Sequence, residues 1–162
     1  MTWELSHNST LRGCIGTLAP RHTVGGVGEY ALMAAIRDSR FRAIEKNEIK
    51  TLAVKISLLH SYEDVDDPLD WDLDVHGISV EFTDPNGYQN FYTKSTYSAT
   101  YLPGVAKEQG WTKKETLASL SQKAGFRRMD IEQLLRCCKV TRYQSSTARV
   151  TYTEYAEARR LE

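Results

Sequence analysis

Apolar and polar positions alternate with period two in some stretches and recur every three to four residues in others, so strands and helices are both expected. Met1–Leu5 alternates from the outset, with Trp3 and Leu5 on one face of a strand, and Ser6-His7-Asn8-Ser9 follows as a polar turn. Leu11–Leu18 reads as a short strand broken by glycines. Val24, Val27, Ala31, Leu32 and Ala35 recur at helical spacing, which predicts an amphipathic helix over 24–37. Glu45–Leu52 reads as a short charged helix, and Val54, Ile56 and Leu58 as one face of a strand. Ile78, Val80 and Phe82 mark another strand. Asp84-Pro85-Asn86-Gly87 then turns the chain, because Pro presets one backbone angle and Asn-Gly tolerates positive φ. Tyr88–Tyr101 returns, completing a hairpin.

Further on, residues 104–109 suggest one helical turn. Thr112-Lys113-Lys114-Glu115 fits a capping box, opening a helix with Leu117, Leu120 and Ala124 on one face until Gly125 stops it. Asp130–Arg136 reads as a short helix. Lys139–Tyr143 and Arg149–Tyr155 alternate as two strands, and a charged tail follows. Mixed elements, a clear antiparallel hairpin and few strand-helix-strand units predict an α+β fold, mainly an antiparallel sheet flanked by helices. Repeats, low-complexity tracts and long linkers are absent, so residues 1–162 are expected to form a single domain.

Composition narrows the class. Hydrophobic residues make up 41% and charged residues 26%, as in globular proteins. The 21 basic and 21 acidic side chains cancel, which argues against a dedicated nucleic-acid binder. They are unevenly placed: residues 1–81 hold 8 basic and 13 acidic side chains, residues 82–162 the reverse, so the halves carry −5 and +5. Three cysteines make no disulfide framework, and Cys137-Cys138 are too close for a routine bridge, which suggests an intracellular location in cytoplasm or nucleus. No apolar run approaches the ~18 residues of a membrane helix, so no membrane partner is expected. The abrupt start suggests that an N-terminal element precedes this sequence.

Candidate chemistry concentrates in Leu11-Arg12-Gly13-Cys14-Ile15-Gly16. Strand alternation puts Leu11, Gly13 and Ile15 on one face and Arg12, Cys14 and Gly16 on the other. Arg12 offers a planar fork of donors to an anion, or forms a structural ion pair with Asp38 or another acid. Arg40 carries the same two readings. Cys14 is a candidate nucleophile or redox thiol, or a small buried strand residue. The glycine-rich start of the 24–37 helix leaves bare amides that suit an anion or close packing. Glu63–Asp74 carries seven acids in twelve positions around Trp71, without the order of a calcium-binding hand. It reads as a solvated acidic loop anchored by Trp71, or as a divalent-metal site. Adjacent cysteines and scattered histidines give no zinc site, and no metal is expected. Tyr88, Phe91, Tyr92, Tyr97 and Tyr101 with Lys94 suit base stacking or a half-buried sheet.

Leu-Arg-Gly-Cys-Ile-Gly resembles the signature of the AMMECR family, named for the Alport syndrome, mental retardation, midface hypoplasia and elliptocytosis chromosomal region. Further blocks similar to the family follow in order: Asp38-Ser39-Arg40-Phe41, Ile56-Ser57-Leu58-Leu59, Asp70-Trp71 before His76-Gly77-Ile78, Ala99-Thr100-Tyr101-Leu102-Pro103 with Val105, Trp111, and Lys123-Ala124-Gly125-Phe126. The resemblance implies an α+β architecture of two unequal lobes with a cleft between them. The family's usual N-terminal helical segment has no counterpart here, and Lys55 stands where many prokaryotic relatives carry a glutamate. The resemblance implies no firmly established activity; suggestions are an enzyme acting on nucleotides or nucleic acids, a regulatory role, and association with Memo-type and radical-SAM proteins. His76, lying in a family block, is the candidate base for Cys14.

Two functions follow. In one, Cys14 and His76 are catalytic, and Arg12, Gly13, Gly16 and Arg40 bind an anionic or nucleotide-like small molecule, with the cofactor unspecified. In the other, the signature is structural and the chain is a non-catalytic regulatory or interaction module docking unknown protein partners on exposed charged faces, such as Asp66, Asp67 and Asp70.

Overall fold

The structure, a computed structural model, describes residues 1–84, 96–126 and 130–161. Its strands are β1 (Thr2–Leu5), β2 (Leu11–Cys14), β3 (Leu52–Val65), β4 (Gly77–Phe82), β5 (Tyr97–Tyr101) and β6 (Lys139–Thr151). Its helices are α1 (Thr23–Ile36), α2 (Val105–Glu108), α3 (Lys113–Lys123), α4 (Ile131–Cys137) and α5 (Tyr152–Ala158), with a 3-10 turn at Ile49–Thr51. Hydrogen bonding orders the strands β2-β1-β3-β6-β4-β5, and β1–β2, β1–β3, β4–β5 and β4–β6 all pair antiparallel. The fold is α+β. The chain forms two compact units, residues 1–58 with 146–162 and residues 59–145, and β3 and β6 each pass from one unit to the other part-way along.

The 59–145 unit holds the larger apolar cluster. Ile78, Val80 and Phe82 alternate inward on β4, as the period-two pattern requires, and meet Leu117 and Leu120 of α3, Leu134 of α4, Val140 of β6 and Trp71. Trp71 is buried and its indole donates to the Pro68 carbonyl, so it anchors the acidic stretch. The Thr112/Glu115 capping box forms, and Gly125 leaves α3 with φ +98°, a conformation a side chain disfavours. Tyr97–Tyr101 pairs with β4, while the turn at 85–87 and Tyr88, Phe91, Tyr92 and Lys94 lie outside the described residues.

The other unit is built differently. Its buried apolar residues are Ala34, Leu52 and Ala53, and two acids, Glu4 and Asp38, are buried with them. Arg149 and Lys55 hold Glu4, and the Arg149 hydrogen bond keeps its carboxyl below the usual range. Ser57 and Thr147 hydroxyls meet at 3.3 Å across β3 and β6.

Four sequence expectations need correction. β2 ends at Cys14 instead of reaching Leu18, because its ladder with β1 ends there. Glu45–Leu52 contributes only the Ile49–Thr51 turn. β3 runs on to Val65, since Glu63 and Asp64 find Arg142, Lys139 and Thr141 of β6 as partners. Lys139–Thr151 is one strand, and residues 152–155, expected to be extended, open α5 instead behind a second capping box of Thr151 and Glu154.

Candidate functional site

Within the signature, Gly13 is the residue that sets the backbone spacing. A Cβ built there would stand 2.1 Å from the Ala34 carbonyl oxygen, so only glycine lets β2 lie against α1 at this distance. Trp3 on β1 adds a bond from its indole to the Ala31 carbonyl at 2.9 Å. Gly16 differs: nothing lies within 4 Å of its would-be side chain, and it is exposed.

Arg12 turns toward the segment after α1. Its Nε and Nη2 donate to Glu48 Oε1 and Oε2 at 2.9 and 3.0 Å, the parallel two-bond arrangement that suits a guanidinium to a carboxylate. Nη1 also donates to the Arg42 carbonyl at 2.6 Å, and Nη2 to that of Ala43 at 3.3 Å. The Arg12 side chain is 15% exposed and that of Glu48 29%. Arg12 holds the Glu48 carboxyl below its ordinary range, assisted by the Glu45 amide. The counter-ion of Arg12 is therefore Glu48, an acid other than Asp38, the one the sequence reading named.

Asp38 serves the neighbouring positions. Its carboxylate accepts from Arg40 Nε and Nη2 at 3.0 and 2.8 Å, from the Arg40 amide at 3.2 Å, and from the Cys14 amide at 2.8 Å. Arg40 first, then the Cys14 amide, hold this carboxyl well below the carboxylate range. Arg40 Nη2 also reaches the Cys14 carbonyl at 3.2 Å, so Asp38 and Arg40 together grip both backbone polar groups of Cys14. The Cys14 thiol is half-buried and accepts the Thr2 hydroxyl at 3.4 Å. Arg40 is the more open cation, 58% exposed over the Phe41 ring, and its Nη1 has no partner among the described residues.

Arg12, Gly13, Cys14, Gly16 and Arg40 thus all belong to the 1–58/146–162 unit, gathered around Asp38 and Glu48. His76 belongs to the 59–145 unit, where its Nδ1 accepts the Asp72 amide at 2.9 Å, which leaves the proton on Nε2 when the ring is neutral. Sequence reasoning missed Glu48; nothing local distinguishes it from Glu45. The Asp-x-Arg spacing of Asp38 and Arg40 was the one legible hint of a local pair.

Elsewhere, Glu63 and Asp70 share Arg142, Asp64 pairs with Lys139, and Asp74 with Lys107. Among the described residues no three His, Cys, Asp or Glu side chains are grouped so as to hold a metal ion, and no helix is long and apolar enough to cross a membrane. None of the three cysteines forms a disulfide; burial raises the thiols of Cys137 and Cys138, and Cys137 adds to the rise at Cys138, to about 11.

Comparison with known proteins places this geometry. An uncharacterised protein of Arabidopsis thaliana is 43% identical over 158 residues, spanning 96% of this chain and 71% of the relative. One of Schizosaccharomyces pombe is 42% identical over 151 residues, spanning 92% and 72%. The crystal structure of an uncharacterised Pyrococcus horikoshii protein superposes with a TM-score of 0.68 at 25% identity, over 91% of this chain and 70% of that one. The AMMECR1 family model matches residues 1–148, signature included, and the chain belongs to the AMMECR1 family.

Proposed function

We propose that this chain is a non-catalytic interaction module in which the Leu11–Gly16 signature is a structural clasp. One observation carries the reading: the charged groups at the signature are already spent inside the domain. Arg12 makes four hydrogen bonds to Glu48 and two carbonyls, and Asp38 fixes Arg40 and the Cys14 backbone. An anion arriving at Arg12 would have to displace a charge-assisted two-bond pair and recover nothing new. A unit with so small an apolar core gains from such a polar framework, because each half-buried ion is met by its partner.

A second reading rests on Arg40. Its exposed Nη1, beside a half-buried thiol and the open space at Gly16, suits a small anionic or nucleotide-like ligand. One experiment separates the two. Thermal-shift titration of wild type and Arg40→Ala with nucleotides, inorganic phosphate and carboxylic acids should move neither protein. A stabilisation of wild type that Arg40→Ala abolishes would overturn the clasp reading in favour of the binder.

A further inference from the structure

We propose that the outer face of α1 is a docking site for an amphipathic helix of a protein partner, acidic at its ends. This rests on the interaction-module reading and names its surface.

The sequence suggests that Val24 and Leu32 share the inward face of α1 with Val27, Ala31 and Ala35. They do not. Ala34 is buried and Val27, Ala31 and Ala35 are half-buried, whereas Val24 is 80% exposed, Leu32 65% and Ile36 55%. With Gly28, these residues occupy positions 24, 28, 32 and 36, one i+4 ridge about 18 Å long. Gly28 has nothing within 4 Å of a would-be Cβ, so the ridge carries a gap between Val24 and Leu32 that one large side chain of a facing helix fills. Ridges of this spacing pack against their like on a second helix at about −50°.

Charge selects the occupant. Arg21 and Arg37 flank the ridge at its two ends, both exposed and neither with a partner among the described residues. Arg37 stands at the helix C-terminus, where the dipole favours a cation. Arg21 stands at the other end, where the dipole disfavours one, the first turn holds no acid, and His22 supplies no side-chain cap. A carboxylate arriving there meets both a guanidinium and uncapped amides.

Other occupants fit less well. A second copy would bring only like charges, Arg21 and Arg37 again, to the ends of the ridge. Glu29 is the only charged residue within α1, so the helix lacks the basic polar face of a membrane-surface helix.

The test uses the full chain and a fluorescent helical peptide of about 14 residues, with leucines at i, i+4 and i+8 and glutamates at both ends. A matched peptide carries lysines at the ends. Fluorescence anisotropy should show the glutamate peptide binding at least about tenfold tighter. Leu32→Glu should abolish binding with an unchanged melting curve, and Arg21→Glu with Arg37→Glu should reverse the preference. Equal affinity for the two peptides overturns the proposal. So does a sedimenting dimer that Leu32→Glu dissolves, which assigns the face to a second copy, or binding to phosphatidylserine vesicles in place of peptide. These failures leave the clasp reading standing; that reading falls only to the Arg40-dependent ligand shift.

Discussion

Replacing Gly13 with alanine puts a methyl group where the Ala34 carbonyl already stands, 2.1 Å from its oxygen and 3.2 Å from its carbon. Both obstructing atoms are backbone, so no side chain can rotate away. Regaining an ordinary contact of 3.4 Å means withdrawing α1 from β2 by about 1.3 Å, and overpacking of that kind costs about 1–3 kcal/mol. The same movement stretches the 2.9 Å bond from Trp3 to the Ala31 carbonyl, and a lost hydrogen bond adds about 1 kcal/mol. Gly13 has no positive φ, so alanine's backbone preference strains nothing, and its stiffer unfolded chain returns about 0.4–1 kcal/mol. The net loss is roughly 1–3 kcal/mol, or about 2–12 °C in Tm for a chain of this size. Gly16→Ala is the matched control: its new methyl meets open space, and stability should stay within about 0.5 kcal/mol. Urea denaturation followed by circular dichroism measures both. A Gly13→Ala protein as stable as Gly16→Ala would refute the close-approach argument, and with it the view that the signature positions α1.

Three further outcomes follow from the same unit. Arg12→Ala leaves the half-buried Glu48 carboxylate without its fork and should cost about 1.5–3 kcal/mol, with Arg12→Lys recovering only part, as read by denaturant midpoints. Asp38 and Glu48 both have carboxyls held below their ordinary values of 3.8 and 4.5, so the folded state binds fewer protons than the unfolded. Their stabilisation is complete above that range and is lost as pH falls through it. The stability gap between wild type and Asp38→Asn should therefore be widest near pH 7 and close in acid; a gap that widens in acid would contradict the assignment. Thr151→Ala removes the α5 cap and should cost about 1 kcal/mol, with faster amide exchange confined to residues 152–158.

Much of this fold was legible because local pattern and tertiary role agree. The Ile78/Val80/Phe82 alternation and the Thr112 box each encode their element within a few residues. The misreadings arise where a distant partner decides. Glu63 and Asp64 look like loop residues until Arg142 and Lys139 stand opposite them, and Val24 and Leu32 look like core until Ala34 takes the inward position against Gly13. The Thr151-x-x-Glu154 box was there to be read, but the strand alternation taken across Arg149–Tyr155 outweighed it. At the signature, the sequence pointed to Arg12, Cys14 and Arg40 as a chemical constellation. What it lacked was Glu48, 36 residues away from Arg12, whose pairing turns a free guanidinium into a fastening.

Because residues 146–162 complete a unit begun by residues 1–58, that unit cannot close until residues 146–162 have been made. Glu4 emerges from the ribosome before Arg149 and waits, as a carboxylate destined for the interior, for that partner to follow. Residues 59–145 are complete before then and can fold first, so the slow, entropy-limited event is the return of residues 146–162 to residues 1–58. A chain stopped at residue 145 should therefore keep its Trp71 core while leaving Glu4 uncompensated by Arg149.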